Sequence, residues 1–283
     1  MVTAMDFAAA MLVIGVFLTV GLAFAVSTWA AGRRRTFERL ERERGLPLLG
    51  KAPLEAVYAL ALPLGRGLAS LGVSANAVTV ASAVIAVGAA VLLALGHFGL
   101  GAAVAIVASL ADALDGIIAR ETKTTGRYGQ ILDTTVDRYV EALLVGGIAF
   151  LVRQDAVLFL IALTGLVGGF MVSYASSVLR EIGAPDRNAP MRRAHRLVYL
   201  LGGAVLVPFV AAVLPNASLR VQTAPVMLAL AAIGVVGNIS AVRRLLAGAR
   251  PRPAGATARI GRAGVGVGGG IDTAVASKSV THP

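Results

Sequence analysis

Between Arg66 and Asp112 the only ionisable side chain is His97. A soluble fold cannot cover so long an apolar run, whereas a bilayer accepts it as two helical spans of about 20 residues each. The turn Gly96-His97-Phe98-Gly99 divides the run, which predicts helices over residues 76–95 and 98–118, with His97 as an interfacial turn residue. Further apolar segments follow at 129–151, 156–179, 197–214 and 221–242. Another covers residues 7–32; the flank before it carries no basic residue, so a retained helix is expected rather than a cleaved signal peptide. Residues 53–72 are apolar but interrupted by Glu55, Pro63 and Arg66, the pattern of a helix lying in the membrane interface. The chain is 57% hydrophobic and 14% charged, with a mean hydropathy of +0.80. The expected fold is an all-α polytopic membrane protein: a six-helix transmembrane core, one extra N-terminal transmembrane helix and an interfacial helix.

Four regions follow. Residues 1–32 form the first helix, 33–72 a charged segment plus the interfacial helix, and 73–245 the six-helix core. Residues 246–283 form a basic, glycine-rich tail predicted to be disordered. The net charge of +11 sits beside apolar segments, so membrane topology and anionic lipid account for it better than nucleic acid does. If Arg33, Arg34 and Arg35 face the cytoplasm, 24 of the 26 Lys and Arg do too, and only Arg153 and Arg220 lie outside. That asymmetry puts the N-terminus outside and the C-terminus inside. There is no cysteine, which excludes disulfides, thiolate metal sites and cysteine nucleophiles.

Four aspartates lie in this apolar background. From Asp112 the chain reads D-x2-D-G-x2-A-R-x8-G-x3-D-x3-D, filled by Asp112, Asp115, Gly116, Ala119, Arg120, Gly129, Asp133 and Asp137. A carboxylate at membrane depth costs about 2.5–3.5 kcal/mol or more, so four together need a counter-charge and usually a function. On a helix Asp115 lies about 60° behind Asp112, Gly116 about 40° ahead and Ala119 about 20° behind, so two carboxylates and two small residues share a stripe. Gly129, Asp133 and Asp137 form a second stripe at i, i+4, i+8. With a short hydrophilic link between them, the two helices should pack as an antiparallel hairpin and bring four carboxylates to one pocket near the cytoplasmic surface. Oxygen-only ligands at this density favour a hard divalent cation, Mg2+ or Mn2+.

This pattern resembles the defining motif of the CDP-alcohol phosphotransferase (CDP-alcohol phosphatidyltransferase) family, which includes the phosphatidylglycerophosphate, phosphatidylinositol phosphate and phosphatidylserine synthases. Asn76-Ala77-Val78-Thr79 is similar to the family's Asn-x-x-Thr, and six core helices are the family's architecture. The resemblance covers about residues 70–245. It implies that a hydroxyl of a polar acceptor attacks the β-phosphorus of a CDP-linked alcohol, releasing CMP, at a two-metal site. It further implies that Asp112, Asp115 and Asp133 hold the metals. Asp137 then serves as general base and further metal contact, while Thr79, Gly116, Ala119, Arg120 and Gly129 accommodate the nucleotide and its phosphates. The donor so implied is CDP-diacylglycerol and the acceptor a water-soluble alcohol, inositol phosphate first and glycerol phosphate or serine as alternatives. A homodimer in the membrane is also implied.

Other residues are less specific. Arg180, Arg187, Arg192, Arg193 and Arg196 crowd one cytoplasmic loop, where they either meet an acceptor phosphate or serve as positive-inside charge. Arg193-Ala194-His195-Arg196-Leu197-Val198 is similar to the Arg-Pro-Glu-Arg-Leu-Val of bacterial family members, with Ala194 and His195 replacing the Pro-Glu pair. Glu141 continues the Asp133–Asp137 row, and a hydrogen bond to a neighbouring helix is expected of it ahead of an acceptor contact. A cation transporter would spread its acidic residues through the bilayer, and a scaffold gives no reason to keep four carboxylates in apolar surroundings.

Overall fold

A computed structural model describes residues 3–30, 52–184 and 191–249 of the chain. The charged segment around Arg33–Arg35, Arg187 and nearly all of the glycine-rich tail lie outside the described residues. Nine helices are described: α1 (Ala4–Ala30), α2 (Ala52–Ser70), α3 (Ala75–Ala94), α4 (Phe98–Glu121), α5 (Arg127–Leu151), α6 (Ala156–Glu181), α7 (Arg193–Val213), the short α8 (Leu219–Gln222) and α9 (Ala224–Gly248). Six of them (α1, α3, α4, α6, α7 and α9) are long and apolar enough to cross a membrane. α5 has the length, at 25 residues, but carries Asp133, Asp137, Arg138 and Glu141. The protein is an all-α integral membrane protein.

Local sequence explains most of the helix ends. The Ser74 side chain accepts a hydrogen bond from the Ala77 amide at the start of α3, and Asp155 caps α6 through the Val157 and Leu158 amides. Gly72, Gly96 and Gly183 follow α2, α3 and α6 at φ +77°, +87° and +64°, where a side chain is strained. α7 begins at Arg193, earlier than expected, because Arg193 and Arg196 have partners inside the bundle. α9 begins at Ala224 with Pro225 in its first turn, where a missing amide costs nothing.

Six helices close a ring in which α3 touches α5, α5 touches α6, α6 touches α9, α9 touches α7, α7 touches α4, and α4 returns to α3. Close approach rests on glycine. A Cβ on Gly168 of α6 would lie 2.8 Å from the Ile233 carbonyl oxygen of α9, and one on Gly237 would lie 2.9 Å from the Gly168 carbonyl oxygen. Without a hydrophobic drive between helices in lipid, such backbone contact supplies much of the packing energy.

α1 and α2 lie outside the ring against α4. α2 is tied to the end of α4 by Arg66 Nε to Glu121 Oε1 at 2.8 Å. α1 is fastened near its start. Asp6 is fully buried there, with Oδ2 2.9 Å from His97 Nδ1 and Oδ1 accepting from the Leu100 amide at 3.4 Å. Thr3 donates to the same carboxylate, and Phe7 packs against Phe209 of α7 with the rings tilted by 58° and centroids 5.0 Å apart. His97 does lie in the turn between α3 and α4, and it also has a partner that the turn alone does not reveal.

Candidate functional site

The expected hairpin of α4 against α5 is not what forms. These consecutive helices make at most marginal contact, and α3 packs against both. The reason lies in the facing surfaces. α3 offers buried Ala86, Ala89 and Ala90, against which Gly147 of α5 and Gly101 of α4 come close. The backbones of α4 and α5 stay apart while each packs on α3. The result is a wedge between α4 and α5, backed by α3, with the first turn of α7 reaching in from the fourth side.

Three carboxylates converge in the wedge. Asp112 of α4 and Asp133 and Asp137 of α5 each offer one oxygen, all within 4.8 Å of one another. Asp115 belongs to the same helix face but takes a different partner, accepting from the Thr79 hydroxyl of α3 at 2.6 Å and lying only 6% exposed. Thr79 itself is buried. So the structure places Thr79 beside an acidic side chain, whereas the resemblance groups it with the nucleotide-binding positions.

The remaining expected positions surround this group. Gly116 and Ala119 are half-buried on α4. Gly129 is half-buried near the start of α5, and a Cβ there would meet only Asn76 Oδ1, at an ordinary 3.5 Å. Helix packing therefore does not force glycine at this position, which leaves open space as the reason for it. Arg120 is exposed, its Nη2 3.5 Å from the Tyr58 hydroxyl of α2, at the long limit of a hydrogen bond.

The arginines of the loop before α7 divide three ways. Arg180 is exposed and bonds within its own helix, to the Ser176 carbonyl and the Ser177 hydroxyl. Arg193 enters the wedge. Its Nη1 donates to Asp112 Oδ2 at 2.8 Å and lies 2.6 Å from Asp137 Oδ1. Arg196 is buried, pairing Nε with Glu141 Oε1 at 2.5 Å and Nη2 with Glu141 Oε2 at 2.8 Å. Its Nη1 donates to the Met191 carbonyl at 2.8 Å. Glu141 also accepts from Arg138 at 3.1 Å, and Arg138 donates in addition to Ser173 of α6. Glu141 thus makes the interhelical bond expected of it. The sequence signal for Arg196 was Glu141 itself, since a carboxylate buried in an apolar helix needs a cation nearby.

The donor set fits a hard divalent cation on its chemistry: three carboxylates, no sulfur and no imidazole at the cluster. One buried oxygen, Asp112 Oδ1, has no hydrogen-bond donor despite the nearby guanidinium, and Asp137 Oδ1 leans on the same Nη1 that Asp112 uses. Unsatisfied buried carboxylate oxygens call for a ligand.

Known proteins agree with this chemistry. A family model described as CDP-alcohol phosphatidyltransferase matches residues 72–237. Phosphatidylinositol phosphate synthase of Mycobacterium marinum is 33% identical over 172 residues, which is 58% of this chain and 74% of that protein. Archaetidylinositol phosphate synthase of Pyrococcus horikoshii is 38% identical over 127 residues, 44% of this chain and 61% of that one. Among solved structures, Mycobacterium tuberculosis phosphatidylinositol phosphate synthase with CDP-DAG bound aligns at a TM-score of 0.58 and 25% identity, covering 69% of this chain and all but a fraction (99% covered) of that one. The same enzyme in complex with manganese and citrate aligns at a TM-score of 0.58 and 25% identity, covering 68% and 93%. With its matched region running from α3 into α9 and its carboxylates converging between two helices of the ring, the chain belongs to the CDP-alcohol phosphatidyltransferase family and is a divalent-metal-dependent membrane transferase.

Proposed function

We propose that the chain transfers the phosphatidyl group of CDP-diacylglycerol to the hydroxyl of inositol phosphate, releasing CMP, with Asp112, Asp133 and Asp137 at the centre of the site. The observation that carries this reading is the convergence of those three carboxylates within 4.8 Å between α4 and α5, two helices that make at most marginal contact. Relatives from mycobacteria and Streptomyces avermitilis are phosphatidylinositol phosphate synthases, the last 34% identical over 166 residues, and a related structure holds CDP-DAG.

Bound divalent cations would neutralise the phosphates of donor and leaving group. The chain's own residues supply the rest. Asp112 and Asp133 present oxygens from opposite walls of the wedge, and Asp115 continues the α4 row with its orientation set by Thr79. Asp137 is the base that accepts the acceptor's hydroxyl proton, because it is the member of the cluster farthest along α5 from the helix start. Gly116, Ala119 and Gly129 leave room for the nucleotide, and Arg120 offers a charge to its phosphates. The site faces the cytoplasm, the N-terminus lies outside and the C-terminus inside, in keeping with the distribution of Lys and Arg. The chain works as a homodimer.

The test is an acceptor screen with purified protein, Mg2+ or Mn2+ and CDP-diacylglycerol, scored for CMP release. Inositol phosphate should react. If only an uncharged or zwitterionic alcohol such as serine reacts, the acceptor assignment fails. Cysteine labelling at position 124 from the two faces tests the orientation, and cross-linking in native membranes tests the dimer.

A further inference from the structure

Arg193 is poorly matched to the place it occupies. One of its nitrogens, Nη1, serves two carboxylates, while its Nε is buried with no acceptor. Asp112 Oδ1 is buried beside it with no donor, and Asp137 Oδ1 shares that Nη1 with Asp112 Oδ2. A guanidinium binds carboxylate best with both prongs of its fork, and here no fork forms. The cation offsets part of the cluster's charge but leaves both sides incompletely bonded.

The backbone beneath it is fixed. Arg196, one turn on, uses its full fork on Glu141 and ties down the Met191 carbonyl with its remaining nitrogen. Met191 sits at φ +60°, a conformation a methionine keeps only when its surroundings hold it. The start of α7 therefore does not swing, and what can move is the Arg193 side chain, which is 23% exposed and reaches the rim of the wedge.

We propose that Arg193 is a displaceable internal counter-cation that holds Asp112 and Asp137 until a divalent cation binds, so that metal loading and withdrawal of the Arg193 side chain are one linked event. This rests on the reading of Asp112, Asp133 and Asp137 as the metal-binding set. A guanidinium and a dication repel across a few ångströms of low-dielectric interior, and both need the same oxygens. Whatever Arg193 contributes to the metal-free state is subtracted from metal affinity, and the coupling is reciprocal. The device eases the repulsion between Asp112 and Asp137 when no metal is present.

Two measurements test it on the full chain in nanodiscs without substrates. The first is Mn2+ affinity, read from the free-ion paramagnetic resonance signal. Arg193→Gln should bind Mn2+ about 5-fold tighter or more, the lower end of ordinary site-to-site coupling. The same variant should have a lower metal-free Tm that Mn2+ raises by more than it raises the wild type's. The second uses the wild type and so does not depend on a variant folding: modification by phenylglyoxal, read by mass spectrometry. Mg2+ should increase labelling of Arg193 several-fold and leave Arg196 protected. Equal or weaker Mn2+ binding by folded Arg193→Gln, or Arg193 labelling that Mg2+ leaves unchanged or lowers, overturns the proposal. Asp133→Asn separates the two readings. If it binds Mn2+ as well as wild type, the metal set is wrong; if it loses binding while the Arg193 results fail, only the linkage is.

Discussion

Arg193 and Arg196 stand one turn apart on α7 and both face carboxylates, yet they are bonded in opposite ways. Arg196 lies 3% exposed, and each of its nitrogens has an acceptor on Glu141, Met191 or Ser173. Arg193 leaves its Nε and Asp112 Oδ1 unmatched and divides one nitrogen between two carboxylates. A fully bonded buried pair fixes structure, because removing either partner leaves a charge stranded. A half-bonded pair costs less to open, and it is found where a ligand must enter. The difference separates a framework from a working site inside one bundle.

The largest effect that follows is on chemistry. Asp112→Asn, Asp115→Asn and Asp133→Asn should each reduce CMP release by at least about 100-fold, since an amide keeps the shape and removes the charge that metal ions require. Insertion into the membrane should be unaffected. Near-normal turnover in any two of them would break the distinction, because the half-bonded cluster would then be structural as well. Asp137→Asn should lose turnover more than donor binding; a matching loss of CDP-diacylglycerol affinity would make Asp137 chiefly a metal ligand.

Next comes the framework. Glu141→Ala should destabilise the folded protein by about 3–5 kcal/mol, as expected when a buried ion pair loses one member, and Mg2+ should not restore it. Pairing Glu141→Leu with Arg196→Met should recover most of that loss, whereas no such pairing should rescue activity at the aspartates. Denaturation in a mixed detergent series reads both. A smaller and sharper probe is Gly169→Ala, whose Cβ would lie 2.5 Å from Glu141 Oε1 and 3.3 Å from Arg196 Nε. Overpacking there should cost about 1–3 kcal/mol and shift the start of α7.

Removing Arg192 and Arg193 together should raise the acceptor's apparent KM and leave that of CDP-diacylglycerol largely unchanged. A change confined to the donor would place Arg193 on the wrong side of the site. The smallest effect belongs to a pair of the same chemistry in the open. Asp155 accepts from Arg220 Nη2 at 2.9 Å across the α6 and α8 ends, and that hydrogen bonding holds its carboxyl below the usual 3.8. A lowered folded value means the stabilisation is complete above the ordinary carboxylate range and is lost as pH falls from about 3.8 towards the lowered value. Arg220→Gln should therefore shift Tm slightly at neutral pH and not at all once Asp155 is protonated.

The membrane class and most helices were legible in the sequence because apolar runs and turn glycines are local signals. The convergence of Asp112, Asp133 and Asp137 was legible in their spacing. Their partners were not. Arg193 meets Asp112 across 81 residues, Arg196 meets Glu141 across 55, and Asp6 meets His97 across 91. Periodicity says which face of a helix is polar but not which helix stands opposite. The expected hairpin of α4 on α5 failed for that reason, since nothing in either stripe announces that the small-residue face of α3 would receive both. Arg193 and Arg196 were read as loop residues, either acceptor-phosphate contacts or positive-inside charge, and only the acids across the ring make them part of the helix.

The clasp between Asp6 and His97 has a consequence for how the chain is assembled. His97 is made 91 residues after Asp6. At ribosomal rates of about 5–20 residues per second, α1 waits roughly 5–18 s before the turn that partners its carboxylate exists. During that interval Asp6 has only Thr3 for company among its described partners. α1 enters the membrane first and reaches its final position late, once α3 and α4 have delivered the turn that holds it.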